Sequence, residues 1–273
     1  MTHRWDPDRY LAYADERGRP FVELLARVAV ADPERVVDLG CGPGNLTALL
    51  KQRWPHAEVL GVDSSAEMVE RARRDVDGVR FEVGDVRDWS GLDTPSLVPR
   101  DGYSTSGVAD VLVSNATLQW VPGHLDLLPG LLANIRPGGV LAFQVPGNFD
   151  QPSHTIRAEL AAQEPYAAHT ARVAVPSAHD AATYLRALAT LGCEVDAWET
   201  TYLHVLDSSA DPDPVFTWIS GTGARPTLQA LPDDLRPGFE AELKRRLREA
   251  YPDEGRGVVL PFRRVFVVAR KAA

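Results

Sequence analysis

Val36-Val-Asp38-Leu-Gly40-Cys-Gly42-Pro-Gly44 is the stretch on which the fold turns. Arg35–Leu39 is a short apolar run with one acid near its end, and it reads as a buried strand. Three glycines at alternate positions follow at once, ahead of an apolar-periodic segment from Leu46 to Leu50. A strand that breaks into glycines and then a helix marks the first strand-to-helix turn of a doubly wound sheet. Glycine there allows a tight turn and lets backbone come close to a nucleotide-type ligand. The spacing departs from the dinucleotide fingerprint, because Asn45 stands where that motif has Gly or Ala. Asp38, ending the strand, suits a ligand with an amino group better than one with a pyrophosphate.

Working outward, the alternation continues. Ala57–Asp63 reads as a second strand, with Ser64 and Ser65 as candidate N-caps for a helix through Arg74. Val79–Val83 and Asp110–Ser114 read as the third and fourth strands. A helix from about Leu125 to Ile135 stops at Pro137-Gly-Gly139, which opens a fifth strand, Val140–Val145. Five such units predict a doubly wound α/β sheet. Beyond Pro146, residues 151–192 and 213–250 read as helical, and Glu194–Leu206 and Phe262–Arg270 as two more strands. Together these predict one domain over 1–273 with a mostly parallel, seven-stranded, Rossmann-like sheet. Residues 1–30 would form a helical lid, 31–146 a cofactor-binding core, and 147–273 cap helices plus the last two strands. Ser90–Gly107, rich in Ser, Gly and Pro, reads as a surface loop.

Three acids fall at strand ends in chain order. Asp63 follows Asp38 by 25 residues and can accept from both ribose hydroxyls, and Asp85 can accept from an adenine amino group. Near the start, Tyr10, Tyr13 and Arg17 share one helical face and could close over a cofactor. The 38 acidic and 29 basic side chains leave a net charge of −9, which repels phosphate backbones and argues against a nucleic-acid partner. The same field repels small anions, so an anionic substrate needs a local cluster of Arg. Two cysteines, Cys41 and Cys193, make neither a disulfide framework nor a metal-ligand spacing, and no metal is expected. No run approaches the ~18 apolar residues of a membrane span, and the opening Met1–Pro7 has no signal-peptide character. A cytoplasmic protein is expected, with no membrane partner. The sequence sets no oligomeric state and is compatible with a monomer.

The pattern of Asp38, the glycine loop, Asp63 and Asp85 resembles the class I S-adenosylmethionine-dependent methyltransferases over residues 30–146. The resemblance implies S-adenosyl-L-methionine as cofactor. It implies a cofactor set of Asp38, Gly40, Gly42, Asp63, Ser64, Asp85 and Asn115, with Tyr10 and Arg17 added from the lid. A second resemblance runs nearly end to end. Trp5-Asp-Pro7, Tyr10, Glu16–Pro20, Val22–Val28, Ser114–Trp120, Gly192–Val195, Trp198, Thr200–Tyr202, Trp218, Thr222-Gly223, Arg225-Pro226 and Arg264–Arg270 look like the trans-aconitate 2-methyltransferases. It implies methylation of a carboxylate on a small tricarboxylic acid.

That chemistry asks little of the protein. A carboxylate is already ionised at neutral pH, so no general base is required and no catalytic residue is assigned. Rate then comes from in-line positioning and from removing water around the nucleophile. The other carboxylates can be clamped, best by Arg. Arg225 is the first candidate, with Tyr202, His204, Arg264, Gln119 and Trp120 behind it. Cys41 has no His nearby in sequence to make it a nucleophile. Lys244-Arg-Arg246 reads as a solvated helix face. The alternatives are another free carboxylate, such as an acyl-carrier-bound acid, a nicotinamide-dependent oxidoreductase, and a non-catalytic S-adenosylmethionine-binding regulator.

Overall fold

A computed structural model describes residues 14–90 and 108–273, with side chains from Gly18 to Asp88 and from Val108 onward. Tyr10, Tyr13 and the 91–107 stretch lie outside the described residues, as does the side chain of Arg17.

Seven strands form one sheet: β1 (Arg35–Leu39), β2 (Glu58–Asp63), β3 (Arg80–Val83), β4 (Ala109–Asn115), β5 (Ile135–Pro146), β6 (Cys193–Leu206) and β7 (Val258–Lys271), ordered β3-β2-β1-β4-β5-β7-β6. The first five pair in parallel. β1 is buried throughout and β4 nearly so, as helices on both faces of a parallel sheet require. The expected α/β sheet is therefore the observed one. The fifth strand begins earlier than expected, at Ile135. Ala109 pairs with Ile135 but Val111 with Val140, and this bulge takes up Pro137-Gly138-Gly139 inside the strand. The preceding helix shrinks to a 3-10 turn (His124–Leu127) and a short α-helix (Leu128–Ala133).

The chain divides into two compact units. The sheet unit holds Asp15–Val145, His179–Glu199 and Val265–Ala273. Its helices include α1 (Ala14–Ala26), α2 (Thr47–Arg53) and α3 (Ala66–Asp75). Ser65, not Ser64, caps α3: its Oγ accepts from Met68 N at 3.3 Å. Glu67 in the first turn and Arg73 and Arg74 in the last suit the helix dipole. Buried Asp110 latches the start of β1, its Oδ2 accepting from Glu34 N at 2.8 Å and Arg35 N at 2.6 Å while it pairs with Arg136.

The helix-rich unit holds Pro146–Ala178 and Thr200–Arg264. Trp218, Phe239, Leu243, Leu247, Leu260 and Phe262 lie in its core. The spacing of Phe239, Leu243 and Leu247 gives the helix Arg236–Ala250 one apolar stripe.

Candidate active site

In the parallel part of the sheet, every strand delivers its last residues to the same edge. The order reverses between β1 and β4, and such a switch point opens a crevice at the strands' carboxyl ends. Asp38 stands there, level with Gly61 of β2 and Val113 of β4. It is only 2% exposed. One oxygen accepts from Thr47 Oγ1 at 2.7 Å, and the other is buried with no hydrogen-bond partner. Burial pushes its pKa up to about 7, against the Thr47 bond that lowers it.

The glycine loop is shaped by what surrounds it. Gly40 and Cys41 both donate to Val62 O, at 2.7 and 3.0 Å. Gly40 has φ +78°, and a Cβ there would lie 1.9 Å from Thr117 Oγ1. Gly42 has φ +56° and only open space where a Cβ would be. Its N–H donates to Asp63 Oδ2 at 2.9 Å, and Ser65 N donates to Asp63 Oδ1 at 2.8 Å. Asp63 is thus oriented with lone pairs to spare, since a carboxylate can accept about four hydrogen bonds. Burial raises its pKa.

The remaining expectations on this unit are placed as follows. Asp85 follows β3, with its carboxylate on Arg87 (Nε at 2.9 Å), which holds its pKa below the usual range. Ser64 is exposed beside Asp63. Asn115 ends β4 and is pinned by Gln144 Nε2 at 2.6 Å. Gln119 is buried, donating to Ala116 O at 2.6 Å, with its Oε1 unpartnered. Trp120 is half-buried in the same 3-10 turn, Leu118–Trp120. Burial pushes the Cys41 thiol far up, which removes it as a nucleophile.

In the helix-rich unit, Tyr202 and Arg264 are buried and His204 lies among aromatic rings. The His204 ring lies 4.7 Å from Trp218, 6.2 Å from Tyr202 and 6.1 Å from Phe262. The Arg264 guanidinium sits 4.6 Å from the Phe262 ring centre, a cation–π distance. Arg225 opens the helix Arg225–Ala230 and is half-buried.

With this geometry in view, the comparisons with known proteins are decisive. A family model described as a methyltransferase domain matches residues 10–197. A trans-aconitate 2-methyltransferase of Streptomyces avermitilis is 48% identical, over 98% of this chain and 97% of its own. One from Mycobacterium sp. strain KMS is 49% identical, over 97% of this chain and 99% of its own. The chain belongs to the trans-aconitate 2-methyltransferase family. Among solved structures, the YcgJ protein of Bacillus subtilis shares the fold at a TM-score of 0.59 with 14% identity, covering 93% of this chain and 99% of its own. The phosphoethanolamine N-methyltransferase 2 of Haemonchus contortus does so at 0.52 with 13% identity, covering 93% of this chain and 53% of its own.

The methyl donor of this methyltransferase is S-adenosylmethionine, and the residues present fit it. The orphaned, buried oxygen of Asp38 is an acceptor awaiting a donor, which an α-ammonium provides. The open space at Gly42 leaves backbone uncovered at the same strand ends. Membership in this family sets aside the nicotinamide-dependent and non-catalytic alternatives.

Residue-by-residue reading of the sequence missed two kinds of group. Thr47 and Thr117 fix Asp38 and wall the glycine loop, and nothing in their own sequence neighbourhood marks them. In the helix-rich unit, His154 and Arg157 of the helix Pro152–Ala161 are buried, at 8% and 4% exposure. A signal existed there: Ser153, Arg157, Leu160 and Ala161 share one helical face, so the arginine lies on the apolar side.

Proposed function

We propose that this methyltransferase esterifies one carboxylate of trans-aconitate, giving a monomethyl ester. What carries the reading is identity of 48–49% to proteins of that name over 97–98% of the chain. The match therefore spans the helix-rich unit, where substrate contacts vary most between methyltransferases of one fold. When bound, S-adenosylmethionine supplies a methyl group made electrophilic by its sulfonium.

Asp38 receives the ammonium of the donor, Gly40 and Gly42 line its methionine part, and Asp63 accepts from the ribose hydroxyls with Ser64 beside it. Asp85 and Asn115 border the adenine end, and Tyr10 and Arg17 complete the proposed donor set. On the acceptor side, Gln119, Trp120, Tyr202, His204, Arg225 and Arg264 hold the acid. No side chain removes a proton, because the attacking carboxylate carries none at neutral pH. The protein's task is to hold the nucleophile in line, stripped of water, and to neutralise the carboxylates that do not react. The setting is the cytoplasm, where such acids are metabolites.

Incubation with methyl-labelled S-adenosylmethionine and a panel of acids tests this directly. Label should enter trans-aconitate as a base-labile monoester. Label that enters only a carrier-bound acid, or none of the acids, overturns the reading.

A further inference from the structure

The helix-rich unit buries two charged side chains among its described residues, Arg157 and Arg264, and no carboxylate in it is buried. Arg264 rests on Phe262, but Arg157 has no ring contact and no ion pair among the described residues. Its Nη1 donates to Thr227 Oγ1 at 2.7 Å, while its Nε is buried with no hydrogen-bond partner. An arginine cannot escape such a position by losing its proton. Burial lowers its pKa from the ordinary guanidinium value. A buried cation without a counter-charge is destabilising unless a ligand supplies the anion.

What surrounds the guanidinium says which anion. Ser153 lies one helical turn before Arg157 on the same face, and its Oγ is also buried and unpartnered. His154 brings no second charge: burial, and then the Arg157 charge itself, push its pKa down to about 4. The edge of its imidazole lies against Gly223, where a Cβ would come within 2.7 Å of Cε1. This face of the helix therefore meets the Gly223–Thr227 segment that also carries Arg225. One planar fork and one hydroxyl on this helix face match a single carboxylate.

We propose that Arg157, aimed by Thr227 and assisted by Ser153, clamps a carboxylate of the substrate that is not methylated. Arg157 is then the residue that selects polycarboxylic over monocarboxylic acids. This rests on the function proposed above, and the following experiment separates the two.

Wild type, Arg157→Met and Arg157→Lys are assayed with S-adenosylmethionine against trans-aconitate and a monocarboxylic alkenoate. Each is also melted with and without a panel of di- and tricarboxylates. For trans-aconitate, Arg157→Met should raise KM by roughly thirty-fold or more with kcat little changed. It should abolish stabilisation by polycarboxylates and leave the monocarboxylate and donor affinity unaltered. Arg157→Lys should recover part, since a point charge replaces the fork. Without ligand, Arg157→Met should melt no lower than wild type, because it removes an unpaired buried charge. A KM that does not move, an equal loss for both acids, or a wild type stabilised by no polycarboxylate overturns the clamp. Stabilisation by another polycarboxylate, lost in Arg157→Met, without turnover of trans-aconitate keeps the clamp and overturns the function. If Arg157→Met does not fold, Thr227→Val decides: a several-fold rise in KM for trans-aconitate alone supports the clamp, and an unchanged KM overturns it.

Discussion

At the sheet's switch point a carboxylate, Asp38, is sealed from water with one oxygen unanswered, whereas in the helix-rich unit it is a guanidinium, Arg157, that is sealed with one nitrogen unanswered. Both arrangements are unfavourable on their own, and they differ in how each can be relieved. Asp38 can take up a proton, and its pKa near 7 is that response. Arg157 has no such route and must wait for an anion. On the reading proposed here, the first region receives the cationic end of the donor and the second an anionic acid. The net charge of −9 reveals neither.

The largest effect that could break this contrast is at Asp63. Asp63→Ala would remove the two hydrogen bonds proposed to the ribose and free the two backbone N–H groups now held by its carboxylate. At ~1.5–3 kcal/mol for each charged bond, donor affinity should fall more than a hundredfold by calorimetry. An unchanged Kd would mean that the switch point does not hold the ribose.

Next comes the loop itself. Gly40→Ala must place a Cβ where Thr117 stands and keep a positive φ. A loss of ~2–4 kcal/mol in denaturant unfolding is expected, from overpacking plus left-handed strain. Gly42→Ala meets only the strain, so ~1 kcal/mol is expected. Equal losses would show that Thr117 yields easily and that the wall is soft.

How much of this was legible beforehand follows from the same residues. Asp38, Asp63 and Asp85 could be read because strand ends are local in sequence and a parallel sheet brings them together whatever else it does. The bulge at Pro137-Gly138-Gly139 was misread as a helix stop, since glycine and proline punctuate both. Arg157 could not be placed, because its burial is made by Thr227, 70 residues away. Tyr202 and Arg264 lie in stretches that carry the resemblance, and His204 stands outside them. That His204 meets Trp218 and Phe262, and Arg264 meets Phe262, is a tertiary fact.

The proton on Asp38 gives a sharper test of the comparison. Its folded pKa, about 7, lies above its ordinary 3.8, so the folded empty protein holds this proton more tightly than the unfolded chain. Its contribution to stability is therefore greatest below pH ~4 and is lost as pH rises through 7, by up to ~4 kcal/mol. Donor binding runs the other way, because an ammonium needs the ionised form. Affinity should tighten roughly tenfold from pH 6 to pH 8. Asp38→Asn should flatten that slope and bind weakly throughout. A slope that survives in Asp38→Asn assigns the proton to another group.

The smallest effect separates the two arginines that the sequence and the structure put forward. Arg225 is half-buried, so its charge is partly screened and its loss should be modest. Arg225→Ala should raise KM for trans-aconitate by roughly five- to thirty-fold, equivalent to ~1–2 kcal/mol, with donor affinity unchanged. Salt should discriminate further. Screening weakens an exposed attraction and hardly touches a sealed one. The ratio of wild type to Arg225→Ala should therefore shrink in 0.5 M salt (about threefold above physiological), while the ratio of wild type to Arg157→Met stays constant. If both ratios shrink together, the two guanidiniums share one solvated site. If neither does, Arg225 is as sealed from solvent in the complex as Arg157 is in the empty protein.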